Sequence, residues 1–88
     1  MARARVLIVE DDAIVAEHTQ VMLKNRGFAV TAIVTSGAEA LAMVNEKSPD
    51  LVLMDIMLKG EMSGIQAADE IRLNYDVPVV YVTAYADE

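Results

Sequence analysis

The stretch LVLMDIML, Leu51 to Leu58, sets one carboxylate, Asp55, in an otherwise apolar run just ahead of the loop KGEMSG. A short aliphatic run bounded by SPD on one side and a two-glycine loop on the other reads as a buried strand. Water stabilises a charge that a protein interior does not. Asp55 must therefore sit at the mouth of its strand, be paired, or bind a metal.

The chain on either side repeats the same alternation. RVLIV, Arg5 to Val9, is a β-branched strand candidate followed at once by EDD. In AIVAEHTQVMLKNRG, Val15, Thr19, Met22 and Leu23 are expected to form one helical stripe, with Gly27 as the C-terminal stop. FAVTAIV, Phe28 to Val34, is a second strand candidate. SGAEALAMVNEK then opens with Ser36 and Glu39 in capping-box spacing, and Leu41 and Val44 supply its apolar face. After the third strand and its loop, IQAADEIRLNY predicts a third helix with Ile65, Ala68 and Ile71 on one side. VPVVYVT, Val77 to Thr83, predicts a fourth strand whose Pro78 stands at the start, where no ladder hydrogen bond need be lost. Strands alternating with helices imply an α/β fold with a parallel sheet covered on both faces. No internal repeat, low-complexity tract or interdomain linker interrupts the pattern.

Composition limits what such a domain can do. At 88 residues and 55% hydrophobic content the chain is one domain with enough apolar residues for a core. It has no cysteine, which removes disulfides, thiolate metal sites and thiol nucleophiles. No apolar run approaches the ~20 residues of a membrane span, and no secretory signal pattern opens the chain, so a cytoplasmic protein with no membrane partner is expected. A formal net charge of −7 opposes attraction to phosphate backbones, so direct nucleic acid binding by this segment is not expected.

Function is sought where polar groups collect. Open parallel sheets bind ligands outside the carboxyl ends of their strands, where the strand order reverses. Those ends carry Glu10, Asp11 and Asp12 after the first strand, Asp55 after the third and Thr83 after the fourth. Carboxylates converging on one point repel one another and hold protons more tightly unless a cation lies among them. Oxygen ligands without histidine or cysteine favour Mg²⁺ (or Mn²⁺) over zinc or copper.

VLIVEDD, the Asp closing DLVLMD, the Gly of MSG, and VVYVTA with its strand-terminal Thr together resemble the receiver domain of two-component response regulators. The resemblance covers essentially the whole chain. It implies a flavodoxin-like doubly wound parallel sheet, of order 2-1-3-4-5 in the family, with four strands and three helices present in this sequence. It implies two-component signal transduction, in which a histidine kinase or phosphotransfer protein gives a phosphoryl group to an aspartate. The domain would catalyse only its own phosphoryl transfer, and would not be an enzyme in the turnover sense. Asp55 matches the phosphoacceptor and a metal ligand, Asp11 the direct metal ligand, and Glu10 the acidic position that acts through metal-bound water. The backbone carbonyl of Met57 matches the third protein ligand. Thr83 matches the hydroxyl that binds the phosphoryl group and reorients on activation, and Ala84 the small residue that leaves it room. An output domain or a homodimer partner completes the partners that the resemblance allows.

Other readings of the same residues stand beside these. Asp55 alone is compatible with a cap or a turn after a strand, which would leave the acidic cluster after the first strand unexplained. Asp12 either joins the metal site or caps the first helix, where an aspartate suits the free N–H groups and the dipole. Thr83 is compatible with an ordinary strand residue. His18 is expected at the surface, and the six methionines are expected chiefly as core filler. The side chains of Met57 and Tyr85 are expected to border the site and affect water access. An aspartate-nucleophile phosphatase would want an acid two residues after the nucleophile, where this chain has Met57, and no G-x-G-x-x-G or G-K-[ST] follows any strand.

The family pattern continues past this sequence through a fourth helix, a fifth strand with a lysine that pairs with the phosphoryl group, an aromatic switch residue and a fifth helix. A longer natural chain is therefore expected, together with an exposed edge at the fourth strand. A phosphorylation-inert receiver-like interaction scaffold is the alternative function. The third loop and helix, LKGEMSGIQAADEIR, resemble those of receivers found alone or joined to sensor and kinase modules, which hints at a role outside simple DNA-binding regulators.

Overall fold

A computed structural model of the protein describes residues 3–58 and 60–82. Its elements run β1 (Arg5–Val9), α1 (Ala13–Asn25), β2 (Ala29–Val34), α2 (Gly37–Lys47), β3 (Leu51–Asp55), α3 (Gly64–Tyr75) and β4 (Val79–Val82). All strand pairings are parallel and the sheet order is β2-β1-β3-β4. The parallel α/β sheet is the one expected from the alternation, and its order is the flavodoxin-like one that the family resemblance implies.

Side chains two apart on each strand divide the core between the two faces of the sheet. Leu7 and Val9 of β1, with Val52 and Met54 of β3, pack against Ala40 and Val44 of α2 and Ala67 and Ile71 of α3. Val6 and Ile8 face the other way onto Leu23 of α1, joined by Phe28, Val30, Leu51 and Leu53. β1 lies between β2 and β3, which is why its residues 6–9 are all buried and its sequence shows no polar alternation.

Two helical faces differ from the sequence reading, for one physical reason. In α1 the buried residues are Ala16 and Leu23, whereas Met22 is 45% exposed and Val15 and Thr19 are half-buried. In α3 Ala67, Ala68 and Ile71 are buried and Ile65 is 51% exposed. Small residues at the contact let a helix axis approach its neighbour, so alanines and glycines take the positions that a search for large apolar groups assigns elsewhere. In α2, likewise, Val44 is buried as expected, but Ala40 rather than Leu41 takes the fully buried place.

Helix ends follow the local chemistry. Gly27 adopts φ +92° just after α1, a backbone that a side chain would strain. The capping box expected at α2 forms only in half: Ser36 Oγ accepts from Glu39 N–H, but Glu39 Oε1 accepts from the N–H and hydroxyl of Thr35. The complete reciprocal box is at α3, where Ser63 Oγ accepts from Gln66 N–H and Gln66 Oε1 accepts from Ser63 N–H. β4 begins at Val79, two residues later than expected. Pro78 precedes it and accepts from Val52 N–H through its carbonyl. β4 pairs with β3 alone among the described strands, and Val80 and Tyr81 are 48% and 37% exposed. His18 is at the surface. Of the methionines, Met54 is fully buried while Met22 and Met57 are exposed, so core filling explains only some of them.

Candidate phosphoacceptor and metal site

The sheet order places the site. From β1 the chain goes first to β2 on one side and then to β3 on the other, so the carboxyl ends of β1 and β3 are neighbours at the point of reversal. Val9 of β1 stands opposite Met54 of β3, which puts the residues following each strand side by side. Glu10, Asp11 and Asp55 meet there, each offering a carboxylate oxygen, with these atoms within 4.8 Å of one another. Glu10 N–H is held by Val34 O at 2.9 Å, which ties the end of β1 to the end of β2.

Asp55 is 7% exposed, the one buried charged residue among the described residues. Its Oδ1 accepts from Met57 N–H at 2.9 Å, so the carboxylate also closes the turn that leads out of β3. The turn reading and the site reading of this residue are thus compatible. The Met57 side chain is 59% exposed beside it. The turn is pressed from outside by α3: a Cβ on Gly64 would overlap the carbonyl oxygen of Asp55 and lie 3.1 Å from its carbonyl carbon and 3.2 Å from Ile56 Cα.

Charge crowding is felt at Glu10. Burial pushes its carboxyl up to about 6, with further upward contributions from a hydrogen bond to Asp55 and from the charges of Asp55 and Asp11. The N–H of Asp12, which donates to Glu10 Oε2 at 3.1 Å, works against this rise. Three carboxylates with no histidine or cysteine ligand are the donor set of a hard divalent cation, and Glu10, Asp11 and Asp55 fit Mg²⁺ on that ground.

Asp12 is the N-cap of α1. Its Oδ1 accepts from Ile14 N–H at 2.9 Å and Val15 N–H at 3.2 Å, and it lies outside the trio of clustered carboxylates. The helix end uses the carboxylate that the sequence left open between cap and ligand. Asp12→Ala is expected to cost about 1 kcal/mol of stability while leaving Mg²⁺ affinity within about twofold, and Asp12→Asn to recover most of the loss. Urea denaturation and a Mg²⁺ titration of the same samples check both statements.

Thr83, Ala84 and Tyr85 lie outside the described residues. β4 nevertheless runs to the site: Val82 stands opposite Asp55 in the β3–β4 register. A cleft of about 650 Å³ between the start of α2 and α3, with Gly37, Met62 and Gln66 in its lining, contains none of the three clustered carboxylates. That cleft and the carboxylate site are separate. Sequence reasoning found the carboxylates and singled out the glycine of MSG, which is Gly64, but missed the Met57 N–H and how closely Gly64 seats on the Asp55 backbone. For Gly64 the S-G-I-Q capping pattern was the available signal, since it fixes where α3 begins.

Comparisons with known proteins bear on the family and the fold. The family model described as response regulator receiver domain matches residues 6–88. The DNA-binding response regulator MtrA of Mycolicibacterium paratuberculosis is 45% identical over 85 residues, covering 97% of this chain and 37% of that protein. The transcriptional regulatory protein CseB of Streptomyces coelicolor is 40% identical over 85 residues, again 97% of this chain and 36% of the relative. The chain thus spans little more than a third of these curated relatives. Among solved structures, the signal receiver domain of a modulated diguanylate cyclase from Desulfovibrio desulfuricans superposes with a TM-score of 0.88 at 31% identity, covering 94% of this chain and 66% of that one. The response regulator PhyR from Brucella abortus gives 0.87 at 34% identity, over 96% of this chain and 35% of its own. On the match across residues 6–88 and the shared fold, the chain belongs to the response regulator receiver domain family.

Proposed function

We propose that this domain accepts a phosphoryl group on Asp55 from a histidine kinase or phosphotransfer protein and passes the change on as a conformational signal. The observation that carries this reading is the meeting of Glu10, Asp11 and Asp55 at the carboxyl ends of β1 and β3. The Asp55 carboxylate attacks phosphorus, a P–O bond forms as the P–N bond to the donor histidine breaks, and the leaving imidazole takes up a proton. Met57 N–H holds Asp55 Oδ1, which fixes the rotamer of the nucleophile before the donor arrives. Asp11, Asp55 and the Met57 carbonyl would hold Mg²⁺ directly, and Glu10 through water. When bound, Mg²⁺ supplies the positive charge that lets an anionic donor approach a carboxylate. Thr83 and Ala84 are assigned the phosphoryl-binding hydroxyl and the space beside it. An output domain or a second copy of the chain would receive the signal, and this reading carries with it a cytoplasmic location.

Incubation with acetyl phosphate and Mg²⁺, read by intact mass, tests the proposal. A single phosphoryl adduct is expected that disappears with chelator and in Asp55→Asn. A folded, Mg²⁺-binding chain that gives no adduct would point instead to the inert interaction scaffold.

A further inference from the structure

The geometry points to Gly64 as a positioning residue for the phosphoacceptor, an inference that rests on Asp55 having that role. The first residue of α3 lies directly on the peptide joining Asp55 to Ile56, so closely that a single methyl group would overlap the Asp55 carbonyl oxygen. Ordinary contact begins at 3.4 Å, and Asp55 carbonyl carbon and Ile56 Cα are both nearer than that to the position a Cβ would take. The peptide under this pressure connects the nucleophile to the turn whose Met57 N–H orients it. Moving that peptide would move the carboxylate and the Met57 backbone together.

The surface that presses is itself fixed. Ser63 and Gln66 close a reciprocal box around the first turn of α3, and Ala67, Ala68 and Ile71 are fully buried along the helix. α3 cannot yield to a larger residue without disturbing its own core contacts, so the shift would fall on the loop after β3. Gly64 acts through the backbone of Asp55 and makes no contact with a donor. A misplacement of about 1 Å at a reacting group costs on the order of 100-fold in rate.

Gly64→Ala should therefore lower Mg²⁺ affinity and the rate of phosphorylation by acetyl phosphate at least about tenfold each under conditions where circular dichroism shows it folded. Leu23→Ala is the control: it removes core volume on the α1 face, away from Asp55, and should lose stability while keeping both quantities within about twofold. If Gly64→Ala does not fold, Ser63→Ala/Gln66→Ala loosens the same helix start and should lower both quantities in the same direction, by less. Folded Gly64→Ala with unchanged affinity and rate, or, where that variant does not fold, an unchanged box-free variant, overturns the positioning role while the phosphorylated parent protein leaves the acceptor assignment standing. A parent protein that is not phosphorylated on Asp55 overturns both.

Discussion

Replacing Asp55 by Asn should make the metal-free protein more stable near pH 7 and remove its thermal response to Mg²⁺. Most substitutions of a buried polar residue destabilise, so the sign is the informative part. Asp55 is 7% exposed and shares a space of 4.8 Å with two other carboxylates. Asparagine has nearly the same shape and keeps an Oδ1 acceptor for Met57 N–H, so the turn survives while one negative charge leaves the cluster. Glu10 reports the crowding: burial, then the hydrogen bond and charge of Asp55 and the charge of Asp11, bring its carboxyl up to about 6. A carboxyl whose folded value is raised binds its proton more tightly in the folded state than in the unfolded one. The stability it contributes is fully present below its ordinary value of 4.5 and is lost as pH rises through about 6. The metal-free protein should therefore lose stability between about pH 4.5 and 6.5 from this group, by on the order of 1 kcal/mol once solvent screening of a partly exposed carboxylate is allowed for.

Mg²⁺ should reverse that slope, because it competes with protons for the same oxygens. Thermal midpoints measured with and without Mg²⁺ should differ near pH 7 and converge near pH 5. In Asp55→Asn the two curves should overlie one another throughout. An Asp55→Asn protein that is less stable than its parent when metal-free would mean that the aspartate is a structural turn residue and that the carboxylates do not strain the fold.

What could be read from the sequence follows from how each feature is encoded. The order of strands and helices was legible because every element carries its own period and its own stop, such as the apolar run of β1 or the glycine after α1. The carboxylates were legible because they follow strand candidates directly, and the strand order that the family resemblance implies brings the ends of β1 and β3 together at the reversal point of the sheet. Which face of a helix is buried was less so. Met22 and Ile65 are the larger apolar groups, yet Ala16, Ala67 and Ala68 occupy the contacts, since the spacing between helix and sheet is a property of the partners. Asp12 could not be resolved for a related reason: an aspartate at a strand end that is also a helix start satisfies two rules, and the direction of its Oδ1 decides between them. The pressure of Gly64 on Asp55 links residues nine apart through a loop, and no local pattern specifies that distance.

Ile71→Ala is expected to be the most damaging truncation on the helix that supports the site, at about 2–5 kcal/mol. Ile71 is 0% exposed and belongs to the cluster formed with Leu7, Val9, Val52 and Met54. Removing its outer carbons takes away apolar burial and leaves a void that α3 can close only by moving toward the sheet. That movement is resisted at the helix start, where Gly64 already touches the Asp55 backbone. Domains of this size hold about 5–10 kcal/mol in all, so one such truncation removes a large share of the margin. Leu73, two residues along and 84% exposed, is the matching control, and Leu73→Ala should change stability by no more than about 0.5 kcal/mol. Guanidinium denaturation of the two variants beside the parent measures the contrast. Equal midpoints would place α3 loosely on the sheet, and a loosely held α3 could not fix the backbone of Asp55 from outside. The stability of this helix and the alignment of Asp55 are in that sense one mechanical property, set by the small residues Gly64, Ala67 and Ala68 on its inner face.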